Sequence, residues 1–112
     1  MAKINMVQAI NLALDEMMAE DETVVILGED VGVDGGVFRV TEGLHAKYGE
    51  ARVIDTPLAE SAIIGTAIGM AMGGLKPVGE MQFSGFSYLM IPQLEGHGSR
   101  MRARTQGQFT VP

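Results

Sequence analysis

Glu60 stands in the string Asp55-Thr56-Pro57-Leu58-Ala59-Glu60-Ser61, where a short apolar run ends and a glycine-laced apolar segment begins. Pro57 pushes Thr56 away from helical geometry, so Glu60 falls at a strand-to-helix corner. Open α/β sheets bind ligands at the carboxyl ends of their strands, and a carboxylate placed there can accept a ligand's hydrogen bond or exchange a proton with it. The same carboxylate would also complement the positive end of a helix dipole. For Glu60 taken singly, that structural role is the commoner one.

A second candidate lies at residues 28–36, where four glycines and three carboxylates, Glu29, Asp30 and Asp34, occur in nine residues. Neither G-x-G-x-x-G nor G-x-x-x-x-G-K-[ST] is present, so a nucleotide loop is rejected, and the carboxylates lack the spacing of an EF-hand. Glu29 and Asp30 are expected to point apart, one toward a cleft and one toward a cap or turn amide. His45 and His97 have no Cys and no second His nearby, which favours solvated positions over metal ligation. No metal site is expected within the chain.

These groups need a scaffold, and composition bounds it. With 112 residues, 46% of them apolar and 20% charged, the chain is long enough for a single domain with a buried core. Nine Met and fifteen Gly, against four Phe, two Tyr and no Trp, suggest close backbone contacts filled by flexible side chains. The net charge of −6 argues against a nucleic-acid partner. Residues 1–90 carry −8 and residues 91–112 carry +2, the latter through Arg100, Arg102 and Arg104, a cluster that suits a solvated helix face better than an anion site. The absence of cysteine rules out a disulfide or thiolate site within the chain. No apolar signal core opens the sequence, and the longest uncharged apolar run, residues 61–75, is too short and glycine-rich for a membrane span. A soluble protein with no membrane contact is expected, and the lack of cysteine fits a reducing compartment.

Hydrophobic spacing places the elements. After an extended lead-in at residues 2–4, Asn5 and Gln8 have the spacing of a capping box, and Ile10, Ala13, Leu14, Met17 and Met18 recur at helical intervals. Residues 23–27 form a β-branched, unalternating run that suits a central parallel strand. Residues 37–40 predict an extended piece or a loop anchored by Phe38, and residues 41–48 a short helix capped by Thr41 and stopped at Gly49. A strand at 52–55 precedes a helix at 61–74. In that helix Gly65, Gly69 and Gly73 share one face for close packing against a neighbour, since each interior glycine costs about 1 kcal/mol relative to alanine. Residues 76–83 predict a third strand, 84–87 a loop, and 88–105 a helix bent or begun late at Pro92 and ended at Gly107. Residues 108–112 open a fourth strand. The alternation calls for a parallel sheet with right-handed crossovers, whose loops gather on one edge.

Several strings, in order and with compatible spacing across essentially the whole chain, resemble one family. They are Met6-Val7-Gln8-Ala9-Ile10-Asn11, Gly28-Glu29-Asp30-Val31-Gly32, Gly35-Gly36-Val37-Phe38-Arg39, Asp55-Thr56-Pro57-Leu58-Ala59-Glu60 and Glu80-Met81-Gln82-Phe83. They resemble the beta subunit of the thiamine-diphosphate-dependent first component of 2-oxo acid dehydrogenase complexes, over its amino-terminal part only. The resemblance implies that residues 1–112 are the amino-terminal part of a transketolase-type pyrimidine-binding domain, with the carboxyl-terminal domain absent.

The resemblance also implies roles. Glu60 would hydrogen-bond a ring nitrogen of the cofactor's aminopyrimidine, promoting the imino tautomer and then the ylide that attacks a 2-oxo acid, pyruvate favoured, with acyl transfer to lipoamide. Phe86 would pack on the pyrimidine, Leu58 would lie near it, and Glu29 would occupy an acidic passage behind it, relaying protons or tuning Glu60. The chain has no Gly-Asp-Gly motif. In the family that motif lies on the alpha subunit, which would hold magnesium and the diphosphate. Implied partners are that alpha subunit, a second beta subunit in a heterotetramer and the dihydrolipoyl acyltransferase core. The cytoplasm as its setting follows only from the resemblance, and the chain alone would be inactive. Alternatives are an acetoin-dehydrogenase-type or transketolase-like thiamine enzyme and, from another class, a non-catalytic α/β interaction module.

Overall fold

The computed structural model describes residues 3–112. Of the expected lead-in, Ala2 lies outside the described residues. The first helix, α1 (Met6–Glu20), begins at a complete capping box: the Gln8 N–H donates to Asn5 Oδ1 at 2.9 Å, and the Asn5 N–H donates to Gln8 Oε1 at 3.0 Å. Two amides that no helical carbonyl reaches are thereby satisfied.

Strand β1 (Val24–Gly28) is buried along its whole length, as an apolar run without alternation requires. It lies between β2 (Val53–Asp55) and β3 (Lys76–Gly79), parallel to both, in the order β2-β1-β3. Arg52 pins the entry to this sheet, donating from Nε and Nη2 to the Val24 carbonyl at 3.1 and 2.8 Å and from Nη2 to the Asp21 carbonyl at 2.8 Å.

Alternate β1 side chains divide the core. Val24 and Ile26 pack with Met18 of α1, Val31, Val53 and Leu44 of α2 (Leu44–Tyr48) on one face of the sheet. Leu27 packs with Ile63 and Ala67 of α3 (Glu60–Met72) on the other. Helix α4 (Ser87–Gly96) lies outside α3, with Ser61 Oγ donating to the Leu89 carbonyl at 2.6 Å. A Cβ added to Gly65 would stand 3.6 Å from Gln93 Oε1 of α4, whereas one added to Gly69 would meet nothing within 4 Å. Close helix packing thus uses only part of the glycine stripe.

Several expected elements take another form. Of the two forms expected for residues 37–40, the structure has the loop, a run of turns and a bend with Phe38 edge-on to Phe83, rather than the extended piece. Thr41 does not cap α2: its hydroxyl donates to the buried Val31 carbonyl at 2.7 Å, and the helix starts after Gly43 with no side-chain cap. β3 stops at Gly79, four residues early, because β1 itself ends at Gly28 and leaves little backbone to pair with. Residues 84–86 are a 3-10 turn running straight into α4. The expected single helix to residue 105 breaks at His97 into α4, a second 3-10 turn (Gly98–Arg100) and α5 (Met101–Arg104), while Pro92 sits inside α4. Gly107 ends this segment as expected, at φ +84° with its N–H on the Arg102 carbonyl at 2.8 Å. Residues 108–112 form no strand, since they pair with neither free edge of the sheet.

Candidate functional site

The strand order decides where a ligand would bind. From β1 the chain goes to one neighbour, β2, and then crosses to the other, β3. The loop after β1 leads to α2 on one face, and the segment after β3 leads to α4 on the other. The carboxyl ends of β1 and β3 are therefore a topological switch point, where α/β sheets open a crevice.

Acidic groups converge on that edge. Glu29 follows β1 directly and Glu80 follows β3 directly, while Glu60 is the first residue of α3. Glu29 and Glu60 are each 7% exposed. Burial pushes the Glu29 carboxyl above its usual value, and the charges of Glu60 and Asp30 add to the rise, against the opposing pull of the Ala59 backbone amide. Glu80 is pushed up by burial, then by Glu29 and Asp30.

Among the described residues, three buried side-chain oxygens have no hydrogen-bond partner: Glu29 Oε1, Thr56 Oγ1 and Glu80 Oε2. One lies just past the end of each strand. Buried polar atoms are seldom left unpaired, so this edge is set up to receive donors from a ligand, from water or from a further protein surface.

The loop carrying Glu29 is tied down from two sides. Asp55, at the end of β2, accepts from the Gly32 N–H at 2.6 Å and the Val33 N–H at 3.4 Å. Asp30 has a left-handed φ of +58°, which turns its side chain to solvent while Glu29 stays buried. The two carboxylates diverge as expected, although Asp30 Oδ2 meets the Gln82 side-chain amide at 3.4 Å rather than a backbone cap.

Phe86 closes the 3-10 turn after β3 and is 40% exposed. Its ring stands edge-on to Phe83 with centroids 5.5 Å apart, and Phe83 stands edge-on to Phe38 at 5.4 Å. Aromatic pairs favour this arrangement, which holds Phe86 as a partly open shelf beside the acidic edge. Leu58 is 82% exposed and stays in solvent. Of the residues singled out from sequence, Glu29 and Glu60 come together, Phe86 joins the aromatic array, and Leu58 remains apart.

Sequence reasoning gave Glu80 no task. Its signal was available: a glutamate directly after a strand's terminal glycine, as in Gly28-Glu29, recurs in Gly79-Glu80. His45 and His97 join no ligand set, and among the described residues no group of three or more His, Asp or Glu side chains could hold a metal ion. Arg100 pairs with Glu95 at 3.1 Å, and Arg104 donates to the Gly96 carbonyl at 2.8 Å, so two of the three arginines bond to groups of α4.

Fold and site together define an α/β domain that presents buried carboxylates and an aromatic shelf at the switch point of a parallel sheet. The family model described as "Transketolase, pyrimidine binding domain" matches residues 2–111, and the chain belongs to that family. It is 58% identical over 112 residues to the pyruvate dehydrogenase E1 component subunit beta of Acholeplasma laidlawii, covering 100% of this chain and 34% of that protein. It is 52% identical over 112 residues to the corresponding Bacillus subtilis subunit, with the same coverage. To the 3-methyl-2-oxobutanoate dehydrogenase subunit beta of Mycobacterium tuberculosis it is 56% identical over 109 residues, 97% of this chain and 31% of that protein. The chain spans about a third of the length of these relatives. No helix among the described residues is long and apolar enough to cross a membrane.

Proposed function

We propose that the chain is the amino-terminal part of a 2-oxo acid dehydrogenase beta subunit and supplies the pyrimidine-side half of a thiamine diphosphate site, with Glu60 as the principal catalytic residue. The observation that carries this reading is the pair of buried carboxyls, Glu60 and Glu29, at the sheet's switch point. Identities of 52–58% to pyruvate and 3-methyl-2-oxobutanoate dehydrogenase beta subunits support the substrate class, and pyruvate is the favoured member.

The residues fit the group. A flat aminopyrimidine offers ring nitrogens and an amino group, and the edge offers a buried carboxyl at Glu60, an unpaired Glu29 Oε1 and the Phe86 ring. When bound, thiamine diphosphate supplies the carbanion chemistry that decarboxylation of a 2-oxo acid requires. Glu60 would hold and exchange a proton at its carboxyl with the pyrimidine of the bound group. Burial keeps bulk water away from that carboxyl. Phe86 would present an apolar face to the ring, and Leu58, 82% exposed two residues before α3, would lie near it.

The diphosphate and its magnesium would be held by a partner alpha subunit. Tyr88, Leu89, Ile91 and Leu94 of α4 are 40–77% exposed, and none of α4's residues is buried, which supports a partner surface. A second beta subunit and a dihydrolipoyl acyltransferase core complete the proposed assembly. The bacterial origin of the three relatives supports a cytoplasmic setting.

The test mixes the chain with a matching alpha subunit, thiamine diphosphate and magnesium, and compares cofactor binding with that of Glu60→Gln. The expected result is a heteromeric complex whose cofactor response is weakened or lost in the variant. A complex that binds the cofactor equally well with Gln at position 60 would remove Glu60 from the site.

A further inference from the structure

The sheet stops holding the two arms of the ligand edge together before either reaches the aromatic shelf. The last bond between them runs from the Glu80 N–H to the Leu27 carbonyl at 2.9 Å, and β1 ends one residue later at Gly28. Among the described residues, no backbone hydrogen bond joins residues 81–86 to residues 29–41.

Side chains take over from the ladder. Gln82 Nε2 donates to the Glu29 carbonyl at 3.2 Å and meets Asp30 Oδ2 at 3.4 Å. The next residue, Phe83, reaches the same loop further along, edge-on to Phe38 with centroids 5.4 Å apart and planes at 72°. It also stands edge-on to Phe86, at 5.5 Å and 75°. The Phe86 N–H donates to the Phe83 carbonyl at 2.9 Å, closing the 3-10 turn in which side chains three residues apart eclipse. Phe38, Phe83 and Phe86 are 51%, 47% and 40% exposed, so core packing fixes none of the three rings.

We infer that Phe83 is a positioning residue: braced on Phe38, it fixes the Phe86 ring relative to the loop that carries Glu29, while Gln82 ties that loop to the same segment. The brace requires an aromatic at position 83, because edge-to-face attraction acts through the ring quadrupole, which an aliphatic side chain lacks. The consequence for a bound pyrimidine rests on the proposed function, but the placement of Phe86 concerns this chain alone.

The experiment measures carbon-13 relaxation of the phenylalanine rings in the full 112-residue chain without cofactor, for the wild type, Phe83→Leu, Phe83→Tyr and Phe38→Leu. Relaxation reports picosecond-to-nanosecond motion, and Phe109 is the internal reference: it is 42% exposed, close to Phe86, and belongs to neither aromatic pair. In the wild type the Phe86 ring is expected to be more ordered than that of Phe109. Phe83→Leu should lower its order to the level of Phe109, and Phe83→Tyr should keep it. Phe38→Leu should loosen it too, although Phe38 pairs with Phe83 and not with Phe86. A Phe86 ring as mobile as Phe109 in the wild type, or one that either leucine substitution leaves as ordered as before, overturns the inference. If Phe83→Leu does not fold, the wild type and Phe38→Leu still decide.

The second readout adds a matching alpha subunit and magnesium and measures the affinity for thiamine diphosphate. Phe83→Leu should bind it roughly 2- to 10-fold more weakly than the wild type, the loss expected from one aromatic pair, and Phe83→Tyr should restore the affinity. Equal affinity in wild type and Phe83→Leu overturns the positioning role. A wild type that binds no cofactor removes the proposed function instead, and the relaxation measurement then decides the placement of Phe86 by itself.

Discussion

Gly32→Ala isolates the contact that holds the Glu29 loop in place. The φ of Gly32 lies outside the left-handed region, so alanine brings no backbone penalty of its own. Its Cβ, however, would fall 2.4 Å from Asp55 Oδ2, 2.7 Å from Cγ and 2.9 Å from Oδ1. All three are inside van der Waals contact. The backbone of Asp55 is fixed by its pairing with Gly28, so the carboxylate must swing away. It then loses the Gly32 N–H at 2.6 Å and the weaker Val33 N–H at 3.4 Å. Hydrogen bonds to a charged group are worth roughly 1.5–3 kcal/mol, and the solvent-facing side of Asp55 places the loss near the lower part, about 2 kcal/mol. For a domain of this size that lowers Tm by roughly 8–16 °C. The assay is urea and thermal unfolding of Gly32→Ala, Asp55→Ala and the double variant. Each single change should cost about 2 kcal/mol, whereas Gly32→Ala in the Asp55→Ala background should cost less than about 0.5 kcal/mol, because the obstructing carboxylate is gone. Additive costs would refute the displacement argument.

Thr41→Val should destabilise the chain by about 1–3 kcal/mol, because the buried Val31 carbonyl loses the hydroxyl donating to it at 2.7 Å. Thr41→Ser should recover most of that loss in urea unfolding, and equal costs for Val and Ser would contradict it. Ile63→Ala, at a side chain 2% exposed between β1 and α3, should cost about 2–5 kcal/mol, and a loss under about 1 kcal/mol would mean that α3 does not pack as described. Stability should pass through a maximum in the mildly acidic range. Glu29 and Glu80 are raised above 4.5, so their stabilising contribution is full below that value and is lost as pH rises through their folded values. Asp15 and Asp21 are lowered from 3.8, chiefly by hydrogen bonds from Lys47 and Lys76, so theirs is present above that value and is lost as pH falls. Urea midpoints measured from about pH 3 to about pH 8 check the sign, and a midpoint still climbing on the alkaline side would contradict it.

The elements whose signals are local were legible in advance. The Asn5 capping box, the apolar run of β1, the helix after Pro57 and the stop at Gly107 all follow from side chains acting within a few residues of themselves. The placing of Glu60 at the corner between β2 and α3 was legible too, because a strand, a proline and a helical period in succession leave few alternatives. The family resemblance rested on its own strings, Met6–Asn11, Gly28–Gly32, Gly35–Arg39, Asp55–Glu60 and Glu80–Phe83. Where pairing or competition decides, local signals failed. Residues 80–83 have strand character, yet β3 stops at Gly79 where the end of β1 removes its partner. Thr41 stands where a cap would, yet its hydroxyl serves the buried Val31 carbonyl.

The acidic edge divides in the same way. Glu29 and Glu60 stood out from their own neighbourhoods, as residues of a glycine-rich loop and a proline corner. That Glu80 joins them depends on β3 crossing over to lie beside β1, a pairing across about 50 residues that no local pattern encodes. Residue types and spacing determined which groups could carry charge and which elements would bear them. Only the tertiary structure decided which carboxyls share a buried space, because desolvation and repulsion arise from neighbours brought together by the fold.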